Sequence, residues 1–396
     1  MNSVPDPLPP RTGLCVRAGA PPEAPPDADL PRRTRRFGVL EGEGIGPEVV
    51  GAALRVLRAV EEVSGKDFEI ERGGPIGTEA ESRWGKPLSD EVTHFCRDVF
   101  EAGGVVLSGP GGGRFVYDLR RQFDLYYKLS PLRPCRELVG ANRLRPEYVS
   151  GVDILIVRDN AGGVYQGDWQ DRVCPKEGRV AEHTFAYSER QVRRILEVAA
   201  HRASGRKRLL SVVVKDGGIP GVTGLWREVA AETAGRHGVK CEFVNVDYAA
   251  YRLVQHAAEF DVIATPNLCG DILADLGGVL LGSRGLSFSG NFSAEGHAVY
   301  QTNHGAAYDL TGTGRANPVA QIYSLAMMLR ESFGLAEEAG WVERAVSHVW
   351  RHGWRTDDVW ESGCRRCGTE ELTGQVVRAV PLVARGEGVT CGRHSC

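Results

Sequence analysis

No run of the sequence approaches the roughly 18 consecutive apolar residues that a membrane helix needs, so a helical membrane span is not expected. A basic surplus is missing as well: 48 Lys and Arg stand against 51 Asp and Glu, a formal net charge of -3, which argues against a surface built to neutralise nucleic-acid phosphates. The first 36 residues hold no apolar segment behind their arginines, so a secretory signal is not expected and the cytoplasm is the default address. Ten cysteines are spread over 396 residues without the framework of a small stapled module, and most are expected as reduced core thiols. There is no internal repeat. A Rossmann fingerprint is also absent: no G-x-G-x-x-G follows a strand with an acidic residue about 20 positions on, so any dinucleotide must be held in another way.

What is present is ordinary soluble composition, 42% hydrophobic and 25% charged, in a chain long enough for two or three domains. Residues 1–36 carry nine of the 21 prolines and no apolar periodicity, and are expected to form a disordered arm. From Phe37 onward short apolar runs alternate with amphipathic stretches. The runs Phe37 to Leu40, Gly104 to Leu107, Val152 to Val157, Leu209 to Val214 and Asp261 to Ala264 read as strands. Pro47 to Val63, Ser188 to Ala203, Thr223 to Arg236, Pro318 to Phe333 and Trp341 to His352 read as helices, with a capping-box spacing at Ser188 and Gln191 and a cap residue before proline at Asn317-Pro318. The alternation predicts an α/β fold with a mostly parallel sheet and flanking helices.

Two segments carry candidate chemistry. In Thr265-Pro-Asn-Leu-Cys-Gly-Asp271-Ile-Leu-Ala-Asp275, the carboxylates four apart share one face of a helix, and their hard oxygens suit Mg²⁺ or Mn²⁺. The apolar neighbours Ile272, Leu273 and Leu276 suggest that this helix is largely buried. A solvated acidic face is the alternative. Asp247 is a third carboxylate just past an apolar run. The second segment, His304-Gly-Ala-Ala-Tyr-Asp309-Leu-Thr-Gly-Thr-Gly-Arg-Ala-Asn317-Pro318, is a glycine-rich loop running into a capped helix. Such a loop lets backbone N–H groups approach a phosphate or an adenosine, although a plain connecting loop would look the same. Near the C-terminus Cys364-x-x-Cys367 is followed by Cys391, His394 and Cys396; the spacing is too irregular for a zinc site to be the expectation.

These segments occur in one order with Leu40-Glu-Gly-Glu-Gly-Ile-Gly-Pro-Glu48, Leu132-Arg-Pro and Val157-Arg-Asp-Asn-Ala-Gly-Gly-Val-Tyr165. Together, over roughly residues 37 to 383, the chain resembles the metal-dependent β-decarboxylating dehydrogenases, the family of isocitrate, 3-isopropylmalate, homoisocitrate and tartrate dehydrogenases. The resemblance implies a two-domain fold around a cleft. Residues 37–125 plus 283–385 would form a large cofactor-binding domain and 126–282 a small domain with the metal site and dimer interface, followed by a flexible tail at 386–396. It implies NAD, Mg²⁺ or Mn²⁺, a small hydroxy-acid substrate and a homodimer with shared active sites. Asp247, Asp271 and Asp275 would hold the metal, and Lys215 and Tyr165 would move protons. Arg114, Arg120, Arg133 and Arg158 would bind the substrate. His304, Gly305, Ala306, Asp309 and Asn317 would line the cofactor, with Asp309 at the position where NAD-using members accept the ribose hydroxyls.

The chain also departs from that pattern. Gln301 stands where an acidic residue is usual, Gly217 where asparagine is common, and Glu43 replaces the commoner aspartate. The stretch Gly111-Gly-Gly-Arg114-Phe-Val-Tyr117-Asp-Leu-Arg120 reproduces neither the apolar specificity residues of isopropylmalate enzymes nor the serine and asparagine of isocitrate enzymes. The expected activity is NAD- and metal-dependent oxidative decarboxylation of a substituted malate, with Arg114 either facing an anionic C3 substituent or solvated on its loop. A non-catalytic regulatory homologue of the same family is the alternative.

Overall fold

The apolar run Ile154 to Val157 becomes a strand covered on both faces, as expected for the interior of a parallel layer. It belongs to a computed structural model that describes residues 35–387, so the expectations for the arm before residue 35 and for Cys391, His394 and Cys396 lie outside the described residues. The strands of four or more residues are β1 Arg36–Leu40, β2 Glu69–Arg72, β3 Val105–Ser108, β4 Tyr127–Leu132, β5 Ile154–Asp159, β6 Asp168–Cys174, β7 Gly178–Thr184, β8 Leu209–Val214, β9 Lys240–Asn245, β10 Val262–Thr265, β11 Phe288–Phe292 and β12 Ala298–Thr302. The helices are α1 Gly46–Ser64, α2 Gly77–Trp84, α3 Asp90–Glu101, α4 Phe115–Gln122, α5 Pro146–Val149, α6 Glu189–Ser204, α7 Pro220–His237, α8 Val246–Gln255, α9 Asn267–Leu281, α10 Val319–Glu331, α11 Ala336–Arg351 and α12 Thr369–Ala384.

Ten strands form one sheet in the order β2-β1-β3-β12-β11-β4-β5-β10-β8-β9. Four at one side (β2, β1, β3, β12) run parallel, as do four at the other (β5, β10, β8, β9). Between them β11 is antiparallel to β12 and to β4, and β4 is antiparallel to β5. The fold is therefore α/β with a mostly parallel sheet, as the alternation of elements predicts. Helices α1, α10, α11 and α12 pack together beside the first set of strands, and α6 packs on α7 beside the second. The strands β6 and β7 form a separate, largely exposed hairpin.

Local chemistry explains most element boundaries. Ser188 accepts from Gln191 N–H while the Gln191 side chain accepts from Ser188 N–H, closing the capping box on α6. Helix α7 starts at Pro220, earlier than the apolar pattern suggests, because proline suits the first turn. Asn317 Oδ1 accepts from Val319 N–H at 3.0 Å, so α10 begins after Pro318. Helix α11 starts at Ala336, five residues before the expected Trp341, with Glu337 and Glu338 in its first turn. The seven described cysteines named as thiols (Cys96, Cys135, Cys174, Cys241, Cys269, Cys364 and Cys367) form no disulfide. No helix among the described residues is long and apolar enough to cross a membrane.

Strand β4 has no counterpart among the runs read from sequence. Lys128, Ser130 and Pro131 interrupt its apolar pattern, yet Lys128 and Ser130 are buried.

Candidate active site

Register on β4 and β5 places the centre of the site. Lys128 lies directly opposite Arg158, so both side chains leave the same face of the sheet. Helix α9 packs on that face. Its glycines permit the approach: a Cβ on Gly270 would meet Arg158 Cγ at 2.7 Å, and one on Gly277 would meet the Leu132 side chain at 2.5 Å. Asp271 is thereby set beside Arg158, whose Nη1 donates to its Oδ1 at 2.6 Å. Arg158 Nε and Nη2 both donate to Asn267 Oδ1, at 3.1 and 2.8 Å. The Tyr165 hydroxyl, in a short turn after β5, donates to the other oxygen of Asp271 at 2.9 Å.

Electrostatics follow from this packing. Burial alone would raise the Asp271 pKa, but Arg158 and the Tyr165 hydrogen bond outweigh it and hold the carboxyl below its usual range. Tyr165 is pushed up by burial and by the Asp271 charge, so its hydroxyl keeps its proton. Arg120, on α4, is 4% exposed and faces this cluster, whereas its neighbour Arg121 is exposed. Burial and the nearby Arg158 charge push Arg120 down. Arg114 sits before α4 with its guanidinium 4.7 Å over the Trp169 ring and 5.4 Å from Tyr117, and Nη2 donates to the Tyr165 carbonyl at 3.3 Å. It also pairs with Asp118 at 3.6 Å, and its side chain remains 41% exposed.

The structure does not bring Arg133 there, which corrects its expected place among the substrate residues. Arg133 follows the far end of β4 and donates to Asp153 Oδ1 at 2.8 Å, just ahead of β5. Five residues of extended chain, roughly 16 Å, separate it from Lys128. It lines a cavity of about 600 Å³ with Leu129 and Pro131, which leave the opposite face of β4. The buried Lys128 is the cation that sequence reading missed; a lysine inside a strand with serine and proline gives no apolar signal.

The remaining candidates fall in two places. Lys215, after β8, donates to Asp247 Oδ1 at 2.7 Å, and both are exposed. The Lys215 hydrogen bond holds the Asp247 carboxyl below its usual range. Asp275, one turn beyond Asp271, accepts from Arg284 Nη2 at 2.9 Å. Among the described residues of a single chain no three His, Cys, Asp or Glu side chains converge as a metal set, because Asp247 stands with Lys215. Helix α9 is less covered than its composition suggests: Ile272 is 55% exposed, and Leu268 and Val279 are exposed with it. Tyr248 and Tyr251 on the adjoining α8 are exposed too.

Beside Arg284, a cavity of about 610 Å³ is lined by His304, Gly305, Asp309 and Asn317. Ala306 lies behind it, its carbonyl accepting from Ile45 N–H at 2.9 Å. This contact explains the first glycine motif. Gly44 has φ +59°, and a Cβ there would lie 2.1 Å from the Ala306 oxygen. Glu43 is buried and accepts from Glu79 N–H and Gly112 N–H, at 2.8 and 2.6 Å, tying the motif to the loop before α4. Gly217 has φ +73°, a conformation in which asparagine is the commonest substitute for glycine.

A family model described as isocitrate/isopropylmalate dehydrogenase matches residues 36–376. The 3-isopropylmalate dehydrogenase of Geobacillus kaustophilus is 39% identical over 358 residues, covering 87% of this chain and 95% of that protein. The protein of the same name from Aquifex aeolicus is 34% identical over 355 residues, covering 86% and 96%. Among solved structures, the crystal structure of isocitrate dehydrogenase from Methylococcus capsulatus aligns with a TM-score of 0.78 at 29% identity, covering 87% of this chain and 99% of that one.

Proposed function

The chain belongs to the isocitrate/isopropylmalate dehydrogenase family, and from that premise we propose that it catalyses NAD- and divalent-metal-dependent oxidative decarboxylation of a 3-carboxy-2-hydroxy acid, a substituted malate. The observation that carries this reading is the contact of Asp271 with both Arg158 and the Tyr165 hydroxyl beside the buried Arg120. A carboxylate, a proton carrier and cations for an anionic substrate stand together there.

Residues 37–125 plus 283–385 would form the cofactor-binding domain and 126–282 the small domain. The cavity beside Asp309 suits an adenosine ribose, whose hydroxyls a carboxylate accepts well, and this supports NAD. The ion would be held by Asp271 and Asp275 with the partner subunit's Asp247, which within one chain stands apart with Lys215. The exposed apolar stripe of Leu268, Ile272 and Val279 with Tyr248 and Tyr251 supports such a homodimer. When bound, the oxidised nicotinamide would supply a hydride acceptor and Mg²⁺ or Mn²⁺ a Lewis acid for the hydroxyl oxygen.

The chain's own residues supply the rest. Arg120 and Arg158 orient the substrate carboxylates, a task suited to guanidinium forks. Lys215 takes the proton of the C2 hydroxyl as that carbon is oxidised. After CO₂ leaves, Tyr165 delivers a proton to the enolate carbon. Arg114, fixed between two rings, faces the C3 substituent, which favours an anionic one.

The test is reduced-nicotinamide formation with Mg²⁺ and isocitrate, isopropylmalate, homoisocitrate, tartrate and a phosphonomethyl malate, alongside a Lys215→Ala control. Turnover of one substrate that disappears in the control is expected. No turnover of any, with NAD still bound, would favour the non-catalytic regulatory reading, for which the uncharged Gln301 and Gly217 are the supporting residues.

A further inference from the structure

Strand β4 carries a buried charge that no described side chain bonds directly, although Asp271 and Asp275 lie near enough to act on it. Lys128 is 4% exposed and has no hydrogen-bond or ion-pair partner among the described residues. Arg120, also 4% exposed, leaves its Nε without an acceptor. Two residues further along β4, on the face that Lys128 shares, the buried Ser130 Oγ has no partner either. The third cation, Arg158, already holds Asp271 and Asn267. Of the two α9 carboxylates, Asp275 is taken by Arg284. Three cations thus face Asp271, with Asp275, paired to Arg284, as the next carboxylate on this side of the sheet. A buried ammonium with no directly bonded partner is disfavoured in a protein interior, and with the unpartnered Arg120 Nε and Ser130 Oγ beside it the set of donors is incomplete. Burial and the neighbouring Arg120 and Arg158 push the Lys128 ammonium well below its usual range, which reports the same crowding of like charge.

We propose that Lys128 is a substrate-binding residue of this chain: with Arg120 and the Ser130 hydroxyl it receives a carboxylate of the hydroxy acid, in the role that Arg133, at the other end of the strand, does not fill. This inference rests on the proposed function and deepens it. A lysine engages an anion as a compact point charge with three rotatable donors, whereas an arginine imposes a planar fork. The carboxylate bound here is therefore gripped from below by Lys128 and from α4 by Arg120, and Ser130 completes its hydrogen bonds. The malate core supplies that carboxylate whatever its C3 substituent.

The experiment measures malate binding by calorimetry in the presence of Mg²⁺, and steady-state turnover of whichever panel substrate the wild type accepts. It uses wild type, Lys128→Met, Lys128→Arg and Arg133→Met. Lys128→Met is expected to weaken malate binding at least tenfold and to raise KM by a similar factor while kcat stays within about threefold. It should also raise the melting temperature of the free protein, since a buried charge with no directly bonded partner has been removed. Lys128→Arg is expected to recover part of the affinity, and Arg133→Met to bind malate like wild type. Unchanged affinity and KM in Lys128→Met, with the wild type active, would overturn this assignment alone. A wild type that neither binds malate nor turns over any of the panel would overturn the functional reading and this assignment with it. A misfolded Lys128→Met is recognised by its melting curve, and Lys128→Gln then supplies the same comparison.

Discussion

Arg158 reaches Asp271 from within the sheet: its Nη1 lies 2.6 Å from Oδ1, while its other two nitrogens hold the Asn267 side chain one helical turn earlier. One guanidinium at the end of β5 thereby fixes both the rotation of α9 and the orientation of its carboxylate. A lysine, with one nitrogen, lacks the planar three-nitrogen fork that makes these bonds. Arg158→Lys is expected to keep the fold, as shown by an unchanged circular-dichroism spectrum, and to lower kcat/KM by about 10² or more. Activity within threefold of wild type would refute this role.

Lys215 and Asp247 pair with one another, apart from the Tyr165 and Asp271 cluster. If each active site draws these halves from two subunits, Lys215→Ala and Tyr165→Phe should each be nearly inactive alone. Co-expressed in equal amounts they should recover about a quarter of wild-type activity, because half the dimers are mixed and each mixed dimer has one intact site. No recovery in a purified mixed dimer would exclude sharing.

Arg133 and Asp153 form an exposed pair at the distant end of β4. Arg133→Met should cost no more than about 1 kcal/mol in denaturant unfolding and leave KM within twofold. A tenfold rise in KM would show that the strand end communicates with the site.

Gly44 has no room for a side chain, because the Ala306 carbonyl occupies the position a Cβ would take and the backbone is left-handed. Gly44→Ala should destabilise by about 2 kcal/mol or more and raise the KM for NAD by displacing the 304–317 loop. Thermal unfolding and cofactor titration read the two effects separately.

Asp159 is buried, accepts from Ala161 N–H, Gly162 N–H and the Tyr187 hydroxyl, and is pushed up by burial to about 6. An ordinary aspartate titrates near 3.9. Because the folded value is the higher one, the contribution of this group to stability is fully present below about pH 4 and is lost as pH rises through about 6. Relative to Asp159→Asn, wild type should therefore lose up to about 3 kcal/mol between those limits and no more above them. Equal pH slopes of unfolding in the two proteins would show that the carboxyl does not titrate in this range.

The sequence by itself determined the α/β class, the alternation of strands and helices, and the order of the motifs. Apolar runs such as Leu209 to Val214 and capping residues such as Ser188 act locally, within a turn or a strand, and so remain visible in a linear string. The family was legible for the same reason: glycines at 44 and 270 stand where a Cβ would meet the Ala306 carbonyl and the Arg158 side chain, and they mark the chain wherever such approaches occur. What belongs to pairing across the sheet was not visible. Leu132-Arg-Pro suggested a substrate arginine, but register decides which residues of β4 stand opposite Arg158, and it selected Lys128 while sending Arg133 to the other end. Helix α9 is mostly buried, as its apolar neighbours suggest, but the exposure of Ile272 was not visible, because apolar composition does not say which side of α9 meets the rest of the chain. Tertiary structure decided these points, since side-chain direction on a strand alternates with every residue and the partner across it is set by a hydrogen-bond ladder formed with distant sequence.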